Sequence, residues 1–261
     1  MTNLPERIQE MVSGHPYVCD RIGCSGSEIR LYDGMVLKNG PRRPDTANGV
    51  RMMRWLKGRL PVPEVLAYEE NPEREFVLMS RVPGRMACDQ YYLTRPELLV
   101  QLLAEGIRML WNTDITGCPI RRNLDDELAK ARYRVEHGLV DLSRAERDTF
   151  GPNGFEGPAE LLGWLASHRP SMDPVLSHGD FCLPNIYLQG DRISGFIDLG
   201  DAGIADRWRD ISLCYRSLKH NCDGTYGVVY PGIQPDRLFD ALGIAPDWEK
   251  LRYYILLDEL F

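Results

Sequence analysis

The sequence predicts an α+β fold of two lobes, a small β-rich amino-terminal lobe and a larger, mostly helical carboxyl-terminal lobe. Two observations lead to this fold class. Short strand-like runs separated by turn signals dominate roughly the first eighty residues, whereas apolar residues recur at helical spacing through much of the remainder. A Pro-Gly pair at 83–84 separates the two patterns. We therefore divide the chain into residues 1–83, the smaller lobe with its hinge, and residues 84–261, the larger lobe.

The smaller lobe is expected to contain a hairpin, a helix and a further strand. The runs EIRLY at 28–32 and MVLK at 35–38 flank an Asp-Gly turn, which is typical of a β-hairpin. Apolar residues at helical spacing predict a helix across residues 47–56, which a glycine and two prolines then end. The apolar run FVLM at 76–79 predicts another strand.

The larger lobe shows helical periodicity over three stretches. Apolar residues recur at helical spacing in residues 98–110, 124–135 and 161–165, and each stretch predicts a helix. Residues 151–154 (GPNG) and 224–235 are rich in turn-forming residues and are predicted to be loops.

Composition excludes several classes of protein. The net charge of −7 argues against nucleic acid as the main partner, because a phosphate-binding surface normally carries a basic excess. No run of about 18 apolar residues is present, and the amino terminus lacks the pattern of a signal peptide, so we expect no membrane partner and a cytoplasmic location. The seven cysteines are scattered without a Cys-x-x-Cys pair, which indicates neither a disulfide framework nor a zinc site.

The stretch SHGDFCLPN at 177–185 is the most informative motif. Four residues separate Asp180 from Asn185, the spacing of the protein-kinase catalytic loop, in which the aspartate takes the substrate hydroxyl proton and the asparagine holds magnesium. Asp198 follows at the end of the apolar run GFI, where a second metal-binding carboxylate lies in a kinase. His178 is expected to brace this loop through hydrogen bonds. Together these residues predict an ATP-dependent kinase that uses magnesium.

Three parts of the smaller lobe are candidates for nucleotide binding. Lys38, after three apolar residues of the second hairpin strand, is expected to reach the α- and β-phosphates. The backbone at Ser80 and Val82, in the hinge, is expected to hold the adenine edge. A turn of small residues would close over the phosphates with backbone N–H groups. This turn contains Gly23, Cys24 and Ser25.

These motifs, together with ADRW at 205–208 and YYILLDELF at 253–261, resemble the bacterial aminoglycoside 3′-phosphotransferases, the kanamycin and neomycin kinases. The run LPVPEVL at 60–66 fits the same family, so the resemblance covers nearly the whole chain. It implies a protein-kinase-like fold, ATP or GTP with two Mg²⁺ ions, and phosphoryl transfer to the 3′-hydroxyl of an aminoglycoside. Antibiotic resistance in a bacterial cytoplasm would follow, from a monomer or weak dimer.

The resemblance also implies an acceptor site at the carboxyl terminus. Asp258, Glu259 and the terminal carboxylate of Phe261 would place three negative charges in one short segment, which suits a ligand with several ammonium groups. The candidate residues at the rim of this site are Arg216, Glu146 and Asp148.

Three positions depart from the family pattern. Gly49 stands where relatives carry the glutamate that pairs with the strand lysine, and Asp45, one turn earlier, is a candidate substitute. Asp201 stands where relatives carry an arginine, and its charge would repel phosphates if it faced them. Residues 149–154 contain none of the acids that grip aminoglycoside amines in relatives. The last departure leaves open a different substrate range.

Two other interpretations remain open at this point. One is a kinase of another small, cationic, hydroxylated metabolite on the same fold. The other is a nucleotide-binding pseudokinase, which Gly49 and Asp201 would suggest. The presence of Asp180, Asn185 and Asp198 argues against the pseudokinase, because loss of catalysis usually removes these residues first.

Overall fold

The computed structural model of the chain describes residues 4–20 and 27–261. Its amino-terminal part is an antiparallel five-stranded sheet with the strand order β1-β2-β3-β5-β4 and one helix on each face. The helices are α1 (Glu6–Val12) and α2 (Pro44–Leu56). The strands are β1 (Tyr17–Asp20), β2 (Glu28–Tyr32), β3 (Met35–Pro41), β4 (Val65–Glu70) and β5 (Arg74–Ser80). The predicted hairpin, helix and strand are all confirmed.

The pairing register places Lys38 in the middle of this sheet. It lies opposite Ile29 of β2 on one side and Val77 of β5 on the other. Since side chains alternate between the two faces of a strand, the buried neighbour Leu37 packs towards α1, whereas Lys38 points to the opposite face, on which α2 lies.

The larger lobe combines helices with two small antiparallel sheets. Its helices are α3 (Gln90–Leu93), α4 (Pro96–Trp111), α5 (Leu124–Glu136), α6 (Pro158–Ser167), α7 (Arg207–Asp223), α8 (Arg237–Leu242) and α9 (Trp248–Asp258). Its strands are β6 (Arg85–Met86), β7 (Pro174–Ser177), β8 (Ile186–Gln189), β9 (Arg192–Phe196) and β10 (Gly203–Asp206). One sheet has the order β6-β8-β9 and the other pairs β7 with β10.

The helices predicted from residues 98–110, 124–135 and 161–165 correspond to α4, α5 and α6. Residues 151–154 and 224–235 lie outside helices and strands, as predicted. Among the described residues, no helix is long and apolar enough to cross a membrane. The α+β fold class is therefore confirmed.

Two hydrophobic clusters form the interior. The smaller one joins α1 to one face of the five-stranded sheet through residues such as Ile8, Phe76 and Leu78. The larger one contains the apolar residues of α4 to α9 and also Val50 and Met52 of α2. Helix α2 therefore belongs to the smaller lobe by sequence, but its apolar face packs into the core of the larger lobe.

The chain connections bring two loops together between the lobes. The β7–β8 connection carries Asp180 and Asn185, and the β9–β10 connection carries Asp198. Because β7 pairs with β10, with Ser177 opposite Gly203, the two connections leave the same end of this small sheet side by side.

Candidate active site

Asp180 and Asn185 are joined directly by hydrogen bonds. The Asn185 Nδ2 atom donates to Asp180 Oδ2 at 2.8 Å and to the Asp180 carbonyl at 3.0 Å. Both contacts use the amide nitrogen, so the amide oxygen is available as a ligand for a cation. The Asp180 carboxylate is fixed by one of its oxygens and can accept a further hydrogen bond with the other.

His178 braces this loop, as predicted. Its Nδ1 accepts the Asp180 amide at 3.3 Å, and its Nε2 donates to the carbonyl of Ile197 at 2.9 Å. One imidazole ring therefore connects the backbone at Asp180 to the strand end that precedes Asp198. The ring is buried and makes no contact that would place it in the chemistry itself.

Sequence reasoning missed Asp210, which holds the start of the same loop from α7. Its carboxylate accepts hydrogen bonds from the Ser177 hydroxyl at 2.9 Å, the His178 amide at 2.8 Å and the Gly179 amide at 2.9 Å. Burial raises the pKa of this carboxyl group. The sequence does contain a signal for Asp210. It is a charged residue at helical spacing with Cys214 and Ser217, and it therefore lies on the buried face of α7.

Asp198 is the one non-glycine residue with positive φ in the described ranges, at φ 57° and ψ 60°. This left-handed conformation is costly for a residue with a side chain, and such strain is concentrated at functional positions. The amide of the preceding Ile197 donates to the Asn185 carbonyl at 3.0 Å, so Asp198 starts beside Asn185. Its side chain remains 52% exposed.

Lys38 forms an ion pair with Asp198. The distance from Lys38 Nζ to Asp198 Oδ1 is 3.3 Å, and this pair connects the five-stranded sheet to the loop of the larger lobe. No ion pair joins Lys38 to Asp45 in the described part of the chain. The suggestion that Asp45 replaces the family glutamate is therefore wrong for this structure, and Asp198 is the partner of Lys38.

Gly49 lies where α2 rests on the turn after Asp198. A Cβ atom at Gly49 would lie 3.3 Å from the amide nitrogen of Gly200, and one at Gly200 would lie 3.0 Å from the carbonyl oxygen of Asp45. The two glycines allow the backbones of the helix and the turn to approach closely. A glutamate side chain at Gly49 would start against this turn, which is a physical reason for its absence.

The carboxylate of Asp201 forms an ion pair with a neighbouring arginine. Its Oδ1 atom lies 3.5 Å from Arg122 Nη2, and the same nitrogen donates to the carbonyl of Gly200. Burial raises the pKa of the Asp201 carboxyl group, whereas Arg209 and Arg122 act to lower it. The second departure from the family pattern is thus matched by a local cation.

The oxygen atoms near Asp180 suit a magnesium ion. The amide oxygen of Asn185 and the exposed carboxylate of Asp198 are the hard ligands that Mg²⁺ prefers, and it usually completes its shell with water and phosphate oxygens. Within residues 4–20 and 27–261, no three His, Cys, Asp or Glu side chains group as a metal site. The donor set fits an ion that is bound together with a nucleotide.

Ser80 and Val82, the predicted hinge residues, lie at the end of β5 and just after it. Ser80 is fixed at the end of β5, since its amide and hydroxyl bond the backbone of Glu64 at 2.8 Å each. Val82 is buried against Gly195, where an added Cβ would lie 2.5 Å from Val82 Cγ1. The Val82 amide donates no hydrogen bond elsewhere in the described chain, which leaves it for a ligand. The predicted phosphate-binding turn with Gly23, Cys24 and Ser25 lies outside the described residues.

The carboxyl-terminal acids are close to one another but each is already engaged. Asp258 pairs with Arg216, and the carbonyl oxygen of Phe261 accepts from Arg134 Nη2 at 2.6 Å. Glu259 is only 8% exposed and accepts the Glu146 amide at 3.0 Å. Burial raises the pKa of the Glu259 carboxyl group. The predicted three free charges are therefore two paired groups and one buried group.

The rim contains a further chain of contacts that the sequence did not reveal. Glu146 lies 2.6 Å from His220 Nε2 and 3.6 Å from Lys219 Nζ, both on α7. The hydrogen bond from His220 is the main cause that holds the pKa of Glu146 below its usual value. The other ring nitrogen of His220 lies 3.2 Å from the hydroxyl of Tyr226, which is 63% exposed in the 224–235 loop.

Known proteins are similar to this chain over most of its length. Residues 23–254 match the model of the phosphotransferase enzyme family. An aminoglycoside 3′-phosphotransferase of Enterococcus faecalis is 41% identical over 80% of this chain and 76% of its own length. One of Niallia circulans is 35% identical over 99% of this chain and 98% of its own length.

The fold is likewise similar to solved structures. A crystal structure of an aminoglycoside-3′-phosphotransferase of type VIII superposes with a TM-score of 0.80 at 26% identity, covering 98% of this chain and 97% of that one. The expected kinase-like architecture is thus confirmed. The chain belongs to the phosphotransferase enzyme family and, within it, to the aminoglycoside 3′-phosphotransferases.

Proposed function

We propose that this protein transfers the γ-phosphoryl group of ATP to the 3′-hydroxyl of aminoglycosides of the kanamycin and neomycin class, and so confers resistance. The observation that carries the proposal is the meeting of Asp180, Asn185, Asp198 and Lys38 in one cleft, with Asn185 bonded to Asp180 and Lys38 bonded to Asp198. The named relatives of high coverage support the acceptor class.

Asp180 is the proposed catalytic residue. Asn185 occupies its Oδ2 atom, which leaves Oδ1 to accept the hydrogen bond of the acceptor hydroxyl. The loose transition state of phosphoryl transfer needs an oriented nucleophile more than a strong base, so a carboxylate held in one position is sufficient. His178 and Asp210 keep the loop in place from behind.

The nucleotide is proposed to bind between the sheet and this loop. The hinge backbone at Ser80 and Val82 would hold the adenine edge, and Lys38 would reach the α- and β-phosphates from the middle of the sheet. Asn185 and Asp198 would hold Mg²⁺ through their oxygens. When bound, Mg²⁺ neutralises the charge that develops between the phosphates. Residues 1–83 thus serve nucleotide binding, and residues 84–261 serve catalysis and acceptor binding.

Acceptor binding is proposed at the carboxyl-terminal acids. Asp258 and the terminal carboxylate of Phe261 would face ammonium groups of the ligand. The buried Glu259 would hold the backbone of Glu146 beside them. Since Arg216 already pairs with Asp258, a ligand ammonium group must compete with or displace this guanidinium. Arg216 is therefore proposed to set how strongly a cation binds at the rim.

Two ion pairs support an active kinase over a pseudokinase. Lys38 has an acidic partner without a glutamate in α2, and the carboxylate of Asp201 is paired with Arg122. The absence of acidic residues from 149–154 is the observation that favours the second candidate, a kinase of another small cationic acceptor.

Magnesium-dependent turnover of ATP by the purified protein tests the proposal. The acceptors are kanamycin, its 3′-deoxy analogue and none, and the variants are Asp180→Ala with Asp191→Ala as an exposed control. We expect turnover with kanamycin alone among these acceptors. Removal of Asp180 should lower kcat by roughly 10²-fold or more, the usual size of a general-base effect.

The outcomes separate the candidate functions. Equal turnover with the 3′-deoxy analogue would show that another hydroxyl is the acceptor. Nucleotide binding without stimulation by any aminoglycoside would rule out the proposed acceptor class and favour the second candidate. Full activity of Asp180→Ala would remove Asp180 from the mechanism.

A further inference from the structure

A buried cluster of charges lies behind the two catalytic loops. Arg209, in the first turn of α7, donates from Nη1 to Oε2 of Glu127 at 3.0 Å. Its Nε donates to the carbonyl oxygen of Gly179, also at 3.0 Å. Arg209 therefore connects the carboxylate of Glu127, on α5, to the residue that precedes Asp180.

Arg122 connects Glu127 to the second loop through a longer ionic contact. Its Nη2 donates to the carbonyl oxygen of Gly200, and its Nη1 lies 3.9 Å from Oε1 of Glu127. Arg122 precedes α5, and its backbone is fixed as well, since its amide donates to the carbonyl of Ile204 in β10 at 2.8 Å. One carboxylate thus lies between two guanidinium groups, and each guanidinium reaches a different catalytic loop.

We propose that Glu127 is a positioning residue for phosphoryl transfer, which holds Arg122 and Arg209 so that they fix the loop of Asp180 relative to the turn of Asp198. This inference rests on the proposed function, because it concerns the geometry of the same reaction. Glu127 lies outside the loops that carry the reacting groups and acts only through the two arginines.

The contact at Gly179 fixes the peptide unit that leads into Asp180. Arg209 binds the carbonyl oxygen of this peptide, and His178 accepts its N–H, which belongs to Asp180. Both polar atoms of one peptide plane are therefore held from opposite sides. Gly179 itself has φ +84°, a conformation in which glycine has wide freedom, so these two contacts determine the direction of the Asp180 side chain.

The contact at Gly200 acts in the same way on the turn after Asp198. This turn follows a residue in a left-handed conformation, and strained conformations persist only where surrounding contacts determine them. Arg122 supplies such a contact at Gly200, two residues after Asp198, while Lys38 holds the Asp198 side chain. A shift of the Arg122 guanidinium would therefore move the turn that carries the proposed metal ligand.

Burial makes the two arginines dependent on Glu127. Glu127 is 4% exposed and Arg122 is 6% exposed, so their charges cannot be solvated by water. The guanidinium of Arg209 and the other nearby cations hold the pKa of Glu127 below its usual value, although burial alone would raise it. Loss of its negative charge would leave Arg209 without its hydrogen-bonded carboxylate and Arg122 with Asp201 alone, and an uncompensated buried charge is strongly unfavourable.

Glu127→Gln tests this role, with Glu136→Gln on the exposed side of the same helix as the matched control. We expect Glu127→Gln to lower kcat at least about tenfold, because small displacements of reacting groups have large effects on rate. The KM for kanamycin should stay within about twofold, since no acceptor contact is changed. The control should leave both constants unchanged.

A second readout needs no acceptor. The magnesium concentration that gives half-maximal binding of a fluorescent ATP analogue measures how well Asp198 is placed to bind the ion. Residues that contact a metal ligand from outside commonly change metal affinity about tenfold or more. We expect this concentration to rise by that order in Glu127→Gln and not in Glu136→Gln. Activities are normalised to the number of nucleotide-binding sites, so unfolded protein does not contribute.

Arg209→Lys covers the case in which Glu127→Gln fails to fold. Lysine keeps a positive charge beside Glu127 but removes the Nε–H donor to the Gly179 carbonyl, so kcat should fall while the variant remains folded. The inference is overturned if Glu127→Gln or Arg209→Lys is folded and has normal kcat. It is also overturned if the loss of kcat disappears once activity is divided by the number of nucleotide-binding sites. If the unmodified protein phosphorylates no aminoglycoside, the proposed function fails, and the magnesium dependence of nucleotide binding decides on Glu127 alone.

Discussion

Two glycines of the larger lobe share a left-handed conformation but differ in the space around them. Gly179 has φ +84° and Gly190 has φ +65°. A Cβ atom at Gly179 would lie 2.1 Å from the carbonyl oxygen of Asp201, whereas a Cβ at Gly190 would have no described atom beyond its chain neighbours within 4 Å. The first glycine is required for the close approach of the two catalytic loops, and the second only for its own turn.

We predict different outcomes for alanine at these positions. Both variants carry the cost of a left-handed alanine, about 1–2 kcal/mol. Gly179→Ala must also push the loop away from Asp201, so kcat should fall at least about tenfold while Gly190→Ala keeps normal kcat. Steady-state kinetics and thermal melts of the two variants, measured side by side, check this. Equal kcat in both would show that the loops separate without consequence.

The sequence pointed to the candidate reacting residues and to the bracing role of His178, but not to Asp210 or Glu127. Asp180, Asn185 and Asp198 lie in short motifs whose spacing reflects local chemistry. Asp210 and Glu127 act on these loops from α7 and α5, and their contacts depend on how those helices pack. The partner of Lys38 could not be predicted either, because the pair with Asp198 depends on the approach of the two lobes.

Among the elements, α9 and the loop before α6 are connected by a buried carboxyl group. Glu259, directly after α9, is buried and accepts the amide of Glu146. Burial raises its pKa above the usual 4.5, so the folded protein binds this proton more strongly than the unfolded chain does. The stabilising effect of protonation is complete below pH 4.5 and is lost as pH rises through the folded-state pKa.

We therefore predict that Glu259→Gln changes the pH dependence of stability. Glutamine keeps an acceptor for the Glu146 amide but cannot ionise, so the variant should gain Tm relative to the unmodified protein as pH rises from 4.5 towards 7. Calorimetric scans at several pH values measure this difference. The exposed Glu249→Gln on α9 is the control and should show a constant difference. A constant difference for Glu259→Gln as well would mean that its burial does not affect its ionisation.

Strong apolar periodicity identified α2, α4, α5 and α6, and their predicted bounds are close to the observed ones. Helix α7 gave no such signal, because its buried face contains Asp210, Ser212 and Ser217 among apolar residues. The short strands β6 to β10 were also missed, since they have two to five residues each and exist through long-range pairing.

At the scale of the whole molecule, the two lobes share one core. Val50 and Met52 of α2 lie in the same cluster as Leu199 and the helices of the larger lobe. The boundary at residues 83–84, which separates two composition patterns and two proposed roles, therefore does not separate two hydrophobic cores. Within the described part of the chain, only the α1 side of the sheet has a cluster of its own.

We predict that thermal unfolding is a single transition that nucleotide shifts upwards. A shared core couples the lobes, so calorimetry should give one peak. A ligand at 100 times its Kd stabilises by about 2.7 kcal/mol, which corresponds to roughly 5–10 °C in Tm for a protein of this size. Magnesium with a non-hydrolysable ATP analogue should produce this shift. Two resolved peaks, or a shift confined to one of them, would show that the lobes unfold independently.

The place of α2 in the larger core has a consequence for protein engineering. A fragment that starts at residue 84 would lack the helix that covers Leu199 and its neighbours, so an apolar patch would face water and favour aggregation. Lobes of related enzymes therefore cannot be exchanged by joining two chains at the hinge alone. The residues of α2 must come from the same enzyme as the larger lobe. A chimeric enzyme should therefore be built from two units. One unit is the sheet with α1, and the other is α2 together with all residues that follow the hinge.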